Sequence, residues 1–433
     1  MSALESSSGR VAAAPWTCPF CPLLCDSFSV DAEADGLALR GSTCGRARSG
    51  LARFSPVAAP VPHPLVDGVP CDPQAAVAAA ARMLAASRQP LFGGLGTDVA
   101  GARALYPLAC RTGAICDPTG GAALLHGLRA LQDRGAFTTT LAEVRSRADL
   151  IVCIGSLPSA RYPEFLRRCG VGEGGTARIV LLQPVSAAPS EPVVDGVDGG
   201  LDDGLETVRF DGDLFDAAAM LAACVAGRVG DSTAGGSAGA LGELAARLHA
   251  SRYAVLVYEP AQLPPQGTLI IEALNRIVST LNRRTRAAAL PLGGGDGAST
   301  ANAVFTWLSG LPLRTRAAPI GLEHEPLRFD AGQLLADRAV DALLWIASFG
   351  TEPAPPATDL PRIVLGHPGL AAAVQGRGSV FIPVSTPGIG SAGHLFRTDG
   401  SVLMPLRALR DDGLPTVAEV LGHLMRALAG TAA

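Results

Sequence analysis

At 433 residues the chain outgrows what one hydrophobic core usually serves, and two or three subdomains are expected of it. Hydrophobic residues reach 48% against 17% charged, yet no run nears the ~18 apolar residues of a membrane helix, and the opening stretch lacks the basic start and apolar core of a secretory signal, so a cytoplasmic chain with no membrane partner is expected. A net charge of −4 argues against nucleic-acid partners, and because all 35 basic residues are arginine, a Walker A loop and Schiff-base chemistry are excluded.

In chain order, residues 1–15 are polar and alanine-rich and read as an arm. TCPFCPLLCDS (17–27) then sets Cys18, Cys21 and Cys25 in one tight loop, and GSTCGRARSG brings Cys44. A proline-rich bridge over 54–70 suits an extended join. Beyond it the pattern alternates. PQAAVAAAARMLAAS (73–87) predicts a helix and PLFGGL (90–95) a short strand. DVAGARALYPLACRTG reads as helix, AICD as strand, GAALLHGLRALQDRG as helix and ADLIVCIG as a buried strand, and EFLRRCG with ARIVLLQP repeats the order. Such alternation points to parallel βαβ units with helices on both faces. The acidic, glycine-rich stretch 191–213 reads as a solvated loop, since hard-cation loops need tighter ligand spacing. After the helix FDAAAMLAACVAGR, residues 230–240 read as a flexible connector. A second series of buried strands follows at 252–258, 341–348, 362–366 and 379–384, flanked by helices at 267–282 and 415–429. The expected fold class is α/β, with doubly wound, mostly parallel sheets in two units and a small cysteine-bearing N-terminal cap. The expected divisions are a cap over 1–53, a first α/β domain over 54–229 and a second over 230–433.

Ten cysteines in such a chain are not expected to form disulfides, because the cytosol keeps thiols reduced. Cys71, Cys110, Cys116, Cys153, Cys169 and Cys224 are scattered among Ala, Leu and Val and read as small buried hydrophobes. The other four are the metal-site candidates: Cys18, Cys21, Cys25 and Cys44. Three thiolates in one loop can reach three corners of a cubane while a remote one closes the fourth, which favours a [4Fe–4S] cluster. Structural zinc is the rival, although zinc sites usually pair two CxxC-like units. Pro19 and Pro22 remove two amide donors from the loop and count mildly against a cluster. Arg46 and Arg48 either offset cluster charge or are surface residues.

With CPFCPLLCD, CGRARSG, DPTGGAALLHGLRALQDRG, EVRSRADLIVCIGSLP, STANAVFTW and FRTDGSVLMPLR in hand, the chain resembles the B-subunit family of formylmethanofuran dehydrogenase along nearly its whole length. It resembles above all the bacterial branch found in the formyltransferase/hydrolase complex of methylotrophs. The resemblance implies a molybdopterin oxidoreductase-like fold, whose C-terminal part would be a pterin-type segment. In competent relatives a tungsten or molybdenum bis-pterin works beside a [4Fe–4S] cluster. It also implies hydrolase-type and formyltransferase-type partner chains in tetrahydromethanopterin-linked one-carbon metabolism.

Competent members of that family carry a Cys–His pair in the segment that here runs from Asp117 to Asp133. Counted without a gap, the two places fall on Ala123 and Leu124. Alanine offers no electron pair to a metal and leucine no titratable group. Cys116 and His126 are ten residues apart and do not replace an adjacent pair, and His126 reads as a packed or surface histidine. The loop GGGDGAST (293–300) could approach a pyrophosphate but lacks the strand, helix and acidic context of a dinucleotide fingerprint. His324, between two glutamates, reads as an ordinary surface grouping. The expectation is thus a redox-inactive scaffold subunit with no catalytic residue of its own and no tungsten or molybdenum bis-pterin. The alternative is an active tungsten- or molybdenum-pterin formylmethanofuran (formate) dehydrogenase subunit.

Overall fold

A computed structural model of the chain describes residues 15–33, 36–54, 62–172, 174–187, 205–229 and 236–430. The arm up to residue 14, residues 55–61 of the proline-rich bridge, most of the acidic loop and the start of the connector lie outside the described residues. The N-terminal segment carries a hairpin of β1 (Ser29–Glu33) and β2 (Gly36–Arg40) and a short helix α1 (Gly45–Leu51). The chain then lays down β3 (Leu65–Val66), β4 (Val69–Pro70), α2 (Pro73–Ala86), β5 (Pro90–Gly96), α3 (Val99–Thr112), β6 (Ile115–Pro118) and α4 (Gly121–Arg134). Next come α5 (Leu141–Arg147), β7 (Leu150–Ile154), α6 (Phe165–Arg168), β8 (Arg178–Pro184), β9 (Leu205–Phe210), α7 (Leu214–Val225), α8 (Ser237–Ala250), β10 (Tyr253–Tyr258), α9 (Gly267–Leu281) and β11 (Arg286–Pro291). The last part holds α10 (Ala298–Ser309), β12 (Thr315–Ala318), β13 (Gly321–His324), α11 (Ala331–Ala336), β14 (Ala342–Ala347), β15 (Arg362–Gly366), β16 (Ser379–Pro383), β17 (Gly393–Phe396), β18 (Leu403–Leu406) and α12 (Val417–Gly430).

Local chemistry starts these elements where the sequence signals it. The carboxylates of Asp72, Asp98 and Asp213 accept the amides of Ala75, Gly101 and Asp216 at the starts of α2, α3 and α7. Strands such as β7, β10 and β14 are buried along their whole length, which is why they read as unbroken apolar runs.

Two main sheets result, and most of their pairs are parallel. One is five-stranded in the order β11-β10-β7-β8-β9, parallel throughout. The other is nine-stranded in the order β13-β12-β6-β5-β14-β15-β16-β3-β4, parallel from β6 to β16 and antiparallel towards both edges. The two-unit α/β architecture is present, but a boundary at 229/230 does not coincide with a change of sheet. β7, β8 and β9 from before that point share a sheet with β10 and β11 from after it, and β5 and β6 pair into the sheet completed by β14 to β16. The five-stranded unit is an insertion, entered after α4 and left after β11, because parallel pairing lets distant chain segments become neighbours.

Several elements exceed the sequence expectation. Residues 205–210 of the acidic stretch form β9 alongside β8, and residues 237–240 of the connector already belong to α8. One face of the five-stranded sheet is covered by α7, α8 and α9. The other is covered by α5, α6 and the cysteine segment, whose Trp16, Phe20, Leu23, Phe28 and Leu51 pack with Ile151, Val255 and Leu290 of the strands. The described part of the N-terminal cap is therefore a layer of the core.

Candidate functional site

Cys18, Cys21, Cys25 and Cys44 are all buried, and together they line one cavity. Its remaining wall is Phe20, Phe28, Arg46 and Ala47 of the same segment with Pro163 and Glu164, which precede α6. Three thiols come from one loop and the fourth from the residue that opens α1. Among the described residues no group of three or more His, Cys, Asp or Glu side chains is placed to hold a metal ion. The four sulfurs instead stand around a shared space.

Burial pushes the Cys18 and Cys25 thiols well up and Cys21 to about 11, and the neighbouring cysteine sulfurs add to the rise in these three. Opposing effects are built in. The backbone amide of Phe20 faces the Cys18 sulfur, and those of Leu23 and Leu24 face Cys21, so the prolines at 19 and 22 do not strip the loop of donors. The Arg46 guanidinium favours the Cys21 thiolate and Arg168 that of Cys25. Arg46 is held in place by the carbonyls of Phe20 at 2.6 Å and Arg161 at 3.2 Å. Ser42 donates to Glu164 at 2.7 Å and accepts from the Cys44 amide at 3.0 Å. Glu164 is also paired with Arg167. A donor set of four thiols, amides aimed at sulfur and two nearby cations fits a polynuclear iron–sulfur group in chemistry. Glu164, Arg168 and Ser42 went unnoticed in the sequence, because no spacing relates them to the cysteines.

The first turn of α4 is different. Ala123 and Leu124 are both half-buried. Leu124 packs against the core of the nine-stranded sheet while Ala130 belongs to that of the five-stranded one, so α4 bridges the two. Beneath this turn, at the carboxyl end of β6, Asp117 accepts from Arg314 Nε at 2.8 Å and from the Ala331 amide at 2.8 Å. Arg314 also reaches Asp330 at 2.5 Å and the carbonyl of Pro326 at 2.6 Å. Both members of the Asp117–Arg314 pair have side chains only 5% exposed. Burial pushes the Asp117 carboxyl up, against the pull of Arg314. A Cβ at Gly121 would lie 2.3 Å from the Asp117 carboxylate, so α4 sits directly on the pair. The residues here do not fit a metal-bound pterin: Ala123 and Leu124 offer neither an electron pair to a metal nor a titratable group, and Asp117, Arg314 and Asp330 are bonded to one another.

The alternative residues are not drawn into a site. Cys116 is buried in β6, where burial pushes its thiol up. His126 lies against Gly267 with Nδ1 3.4 Å from Thr268 Oγ1, packing α4 on α9. His324 is tied through Nδ1 to Thr315 and the Arg314 carbonyl, both at 3.1 Å. Cys153 and Cys169 are buried and Cys71, Cys110 and Cys224 half-buried, as small hydrophobes would be. The glycine loop corrects its sequence reading, for it does lie between a strand, β11, and a helix, α10. It reaches the cysteine loop, with Gly295 against Pro22, and it presses on the backbone after β5. There a Cβ at Gly297, whose φ is +82°, would meet the Thr97 carbonyl at 2.2 Å. Gly294 to Gly297, Cys21 and Phe396 line a second small cavity beside the four thiols.

No family model matches the chain. It is 33% identical over 340 residues, 78% of its own length and 89% of the relative's, to the B subunit of the formyltransferase/hydrolase complex Fhc of Methylorubrum extorquens. It is 26% identical over 434 residues, 94% of this chain and 97% of the other, to the B subunit of tungsten-containing formylmethanofuran dehydrogenase 2 of Methanocaldococcus jannaschii. Its fold matches a chain in the crystal structure of the formyltransferase/hydrolase complex FhcABCD from Methylorubrum extorquens in complex with methylofuran. The TM-score is 0.73 at 30% identity, covering 86% of this chain and all of that one.

Proposed function

Because this chain belongs to the B-subunit family of the formyltransferase/hydrolase complex, to which the B subunit of formylmethanofuran dehydrogenase is related, we propose that it works as the B-type subunit of such an assembly in the cytoplasm. The assembly would serve tetrahydromethanopterin-linked one-carbon metabolism, with hydrolase-type and formyltransferase-type chains as partners. No helix among the described residues is long and apolar enough to cross a membrane. Within the assembly the chain is an organising subunit without redox chemistry of its own. The observation that carries this is the first turn of α4, where Ala123 and Leu124 stand over a closed Asp117–Arg314–Asp330 cluster. Elemental analysis of the purified assembly tests it: tungsten and molybdenum are expected far below one per chain, and a stoichiometric amount of either bound to this chain would overturn the reading.

The cysteine cavity supports a second statement about the same subunit: Cys18, Cys21, Cys25 and Cys44 hold a [4Fe–4S] cluster. When bound, such a group supplies a one-electron store and a rigid four-point cross-link. The chain's own part is to keep the four thiols together, aim the Phe20, Leu23 and Leu24 amides at sulfur, and place Arg46 and Arg168 beside the negative charge. Iron and acid-labile sulfide in anaerobically purified protein are expected at about four per chain. Zinc in their place would refute this assignment and leave the organising role intact.

A further inference from the structure

The inserted unit is entered and left at two crossings, one leading into α5 and the other running from β11 into the glycine loop. The two main sheets share no strand, so what sets one against the other must lie in side chains and turns. Both crossings, and the cysteine loop as well, are gripped by one C-terminal turn, Arg397–Gly400, which follows β17. The Thr398 hydroxyl donates to the Pro291 carbonyl at 3.0 Å and accepts from the Gly293 amide at 3.2 Å, across 107 and 105 residues of chain. The Thr398 amide donates to the carbonyl of Pro22, between Cys21 and Cys25, at 2.8 Å. Asp399 Oδ2 accepts from the Leu141 amide at the start of α5 at 3.2 Å, 258 residues away. It is held for that task by Arg397, at 2.8 and 2.5 Å. Both charged residues are buried. Just before the turn, the Phe396 amide donates to Thr300 at 2.9 Å, and Leu395 packs with Leu24 of the cysteine loop.

We infer that Arg397–Gly400 is a latch: it fastens the inserted five-stranded unit, at its entry and its exit, to the loop that carries Cys18, Cys21 and Cys25. The parts are suited to it. Thr and Asp are short, so the bonds have no slack, and the buried Arg397–Asp399 pair fixes the turn before it meets its partners. One oxygen, Asp399 Oδ1, is buried with no donor among the described residues. Movement of the cysteine loop reaches the exit crossing through Thr398 and the entry crossing through its neighbour Asp399. The consequence for the thiol site rests on the reading that those thiols hold a metal centre: loss of the centre loosens the loop, and the loop loosens the set of the two sheets.

Thr398→Val removes the hydroxyl and keeps the shape, whereas Thr398→Ser keeps the hydroxyl. Hydrogen exchange by mass spectrometry on the full-length protein in its assembly reads the outcome. With Val, backbone exchange is expected to rise about tenfold at 18–25 and 291–297, and also at 138–143, while Ser stays near the parent rate. Asp399→Asn is expected to raise exchange at 138–143 more than at 291–297. Iron release to a chelator is expected to quicken by a similar factor with Val. A rise confined to 396–402, an equal rise with Val and Ser, or no rise would overturn the latch. If the parent protein holds no iron and sulfide, the metal reading fails by itself and the exchange pattern still decides the latch.

Discussion

The cysteine cavity and the first turn of α4 lie in the same molecule and illustrate opposite ways of treating a buried polar site. In the cavity four thiols are kept close although burial and mutual repulsion work against their ionised forms, and amides and arginines are arranged to favour those forms. At α4 the polar groups have closed on each other, with Asp117, Arg314 and Asp330 bonded together and apolar side chains filling the turn above. The first region holds donors ready for an acceptor from outside. The second offers none. A buried turn can thus be completed by pairing among its own groups as well as by a group from outside.

The sharpest way to break this comparison is Arg314→Leu. It strands the Asp117 carboxylate in a region 5% exposed, and a drop of about 3–5 kcal/mol in unfolding free energy is expected in denaturant titrations. A tolerated substitution would show that the α4 region is not a structural closure. Next comes pH. His367, buried where the chain leaves β15, packs edge-on against Phe54 at the end of the cysteine segment and accepts the Gly369 amide through Nδ1. Burial first, and then Arg53, lowers its pKa from 6.5 to about 4. As pH falls through 6.5 the unfolded chain takes up a proton that the folded one refuses. Stability should therefore decline by about 1.4 kcal/mol per pH unit until about 4. His367→Asn should flatten that slope in stability measured across the same range, and an unchanged slope would remove His367 as its source.

Smaller effects sharpen the contrast. Placing the Cys–His pair that the family resemblance implies, with Ala123→Cys and Leu124→His, is expected to cost about 1–3 kcal/mol, because a polar ring replaces a packing side chain. It should bring no tungsten or molybdenum into purified protein. Metal uptake by that double variant would mean that the two side chains at 123 and 124, and not the surrounding packing, keep the metal out. Ser42→Ala should cost about 1 kcal/mol by removing the hydroxyl that links Glu164 to the Cys44 amide, measured as an earlier thermal midpoint.

The buried parallel strands were legible because strands covered on both faces leave unbroken apolar runs, as in LIVCI of β7 and ALLWIA of β14. The gathering of the four cysteines was legible from their spacing. Other parts carried no local mark. β11, RAAALP, has no β-branched residue, and α8 opens on small residues that look like a linker. The wall of the cavity at Pro163 and Glu164 and the grip of Thr398 and Asp399 are meetings of distant segments, which no local periodicity encodes. The insertion escaped notice for the same reason: β5 and β14 pair side by side, but nothing in either run names its neighbour.

That pairing has a price during synthesis. Ser348, just past β14, reaches back to the carbonyl of Gly96 across 252 residues. On the ribosome β5 and β6 therefore emerge long before the strand that will separate them from β15 and β16 exists, and their apolar edges must wait. The inserted unit, complete once β11 has emerged, is the natural first folder, and a ribosome stalled between β11 and β14 would display a finished five-stranded sheet tethered to an unsheltered half.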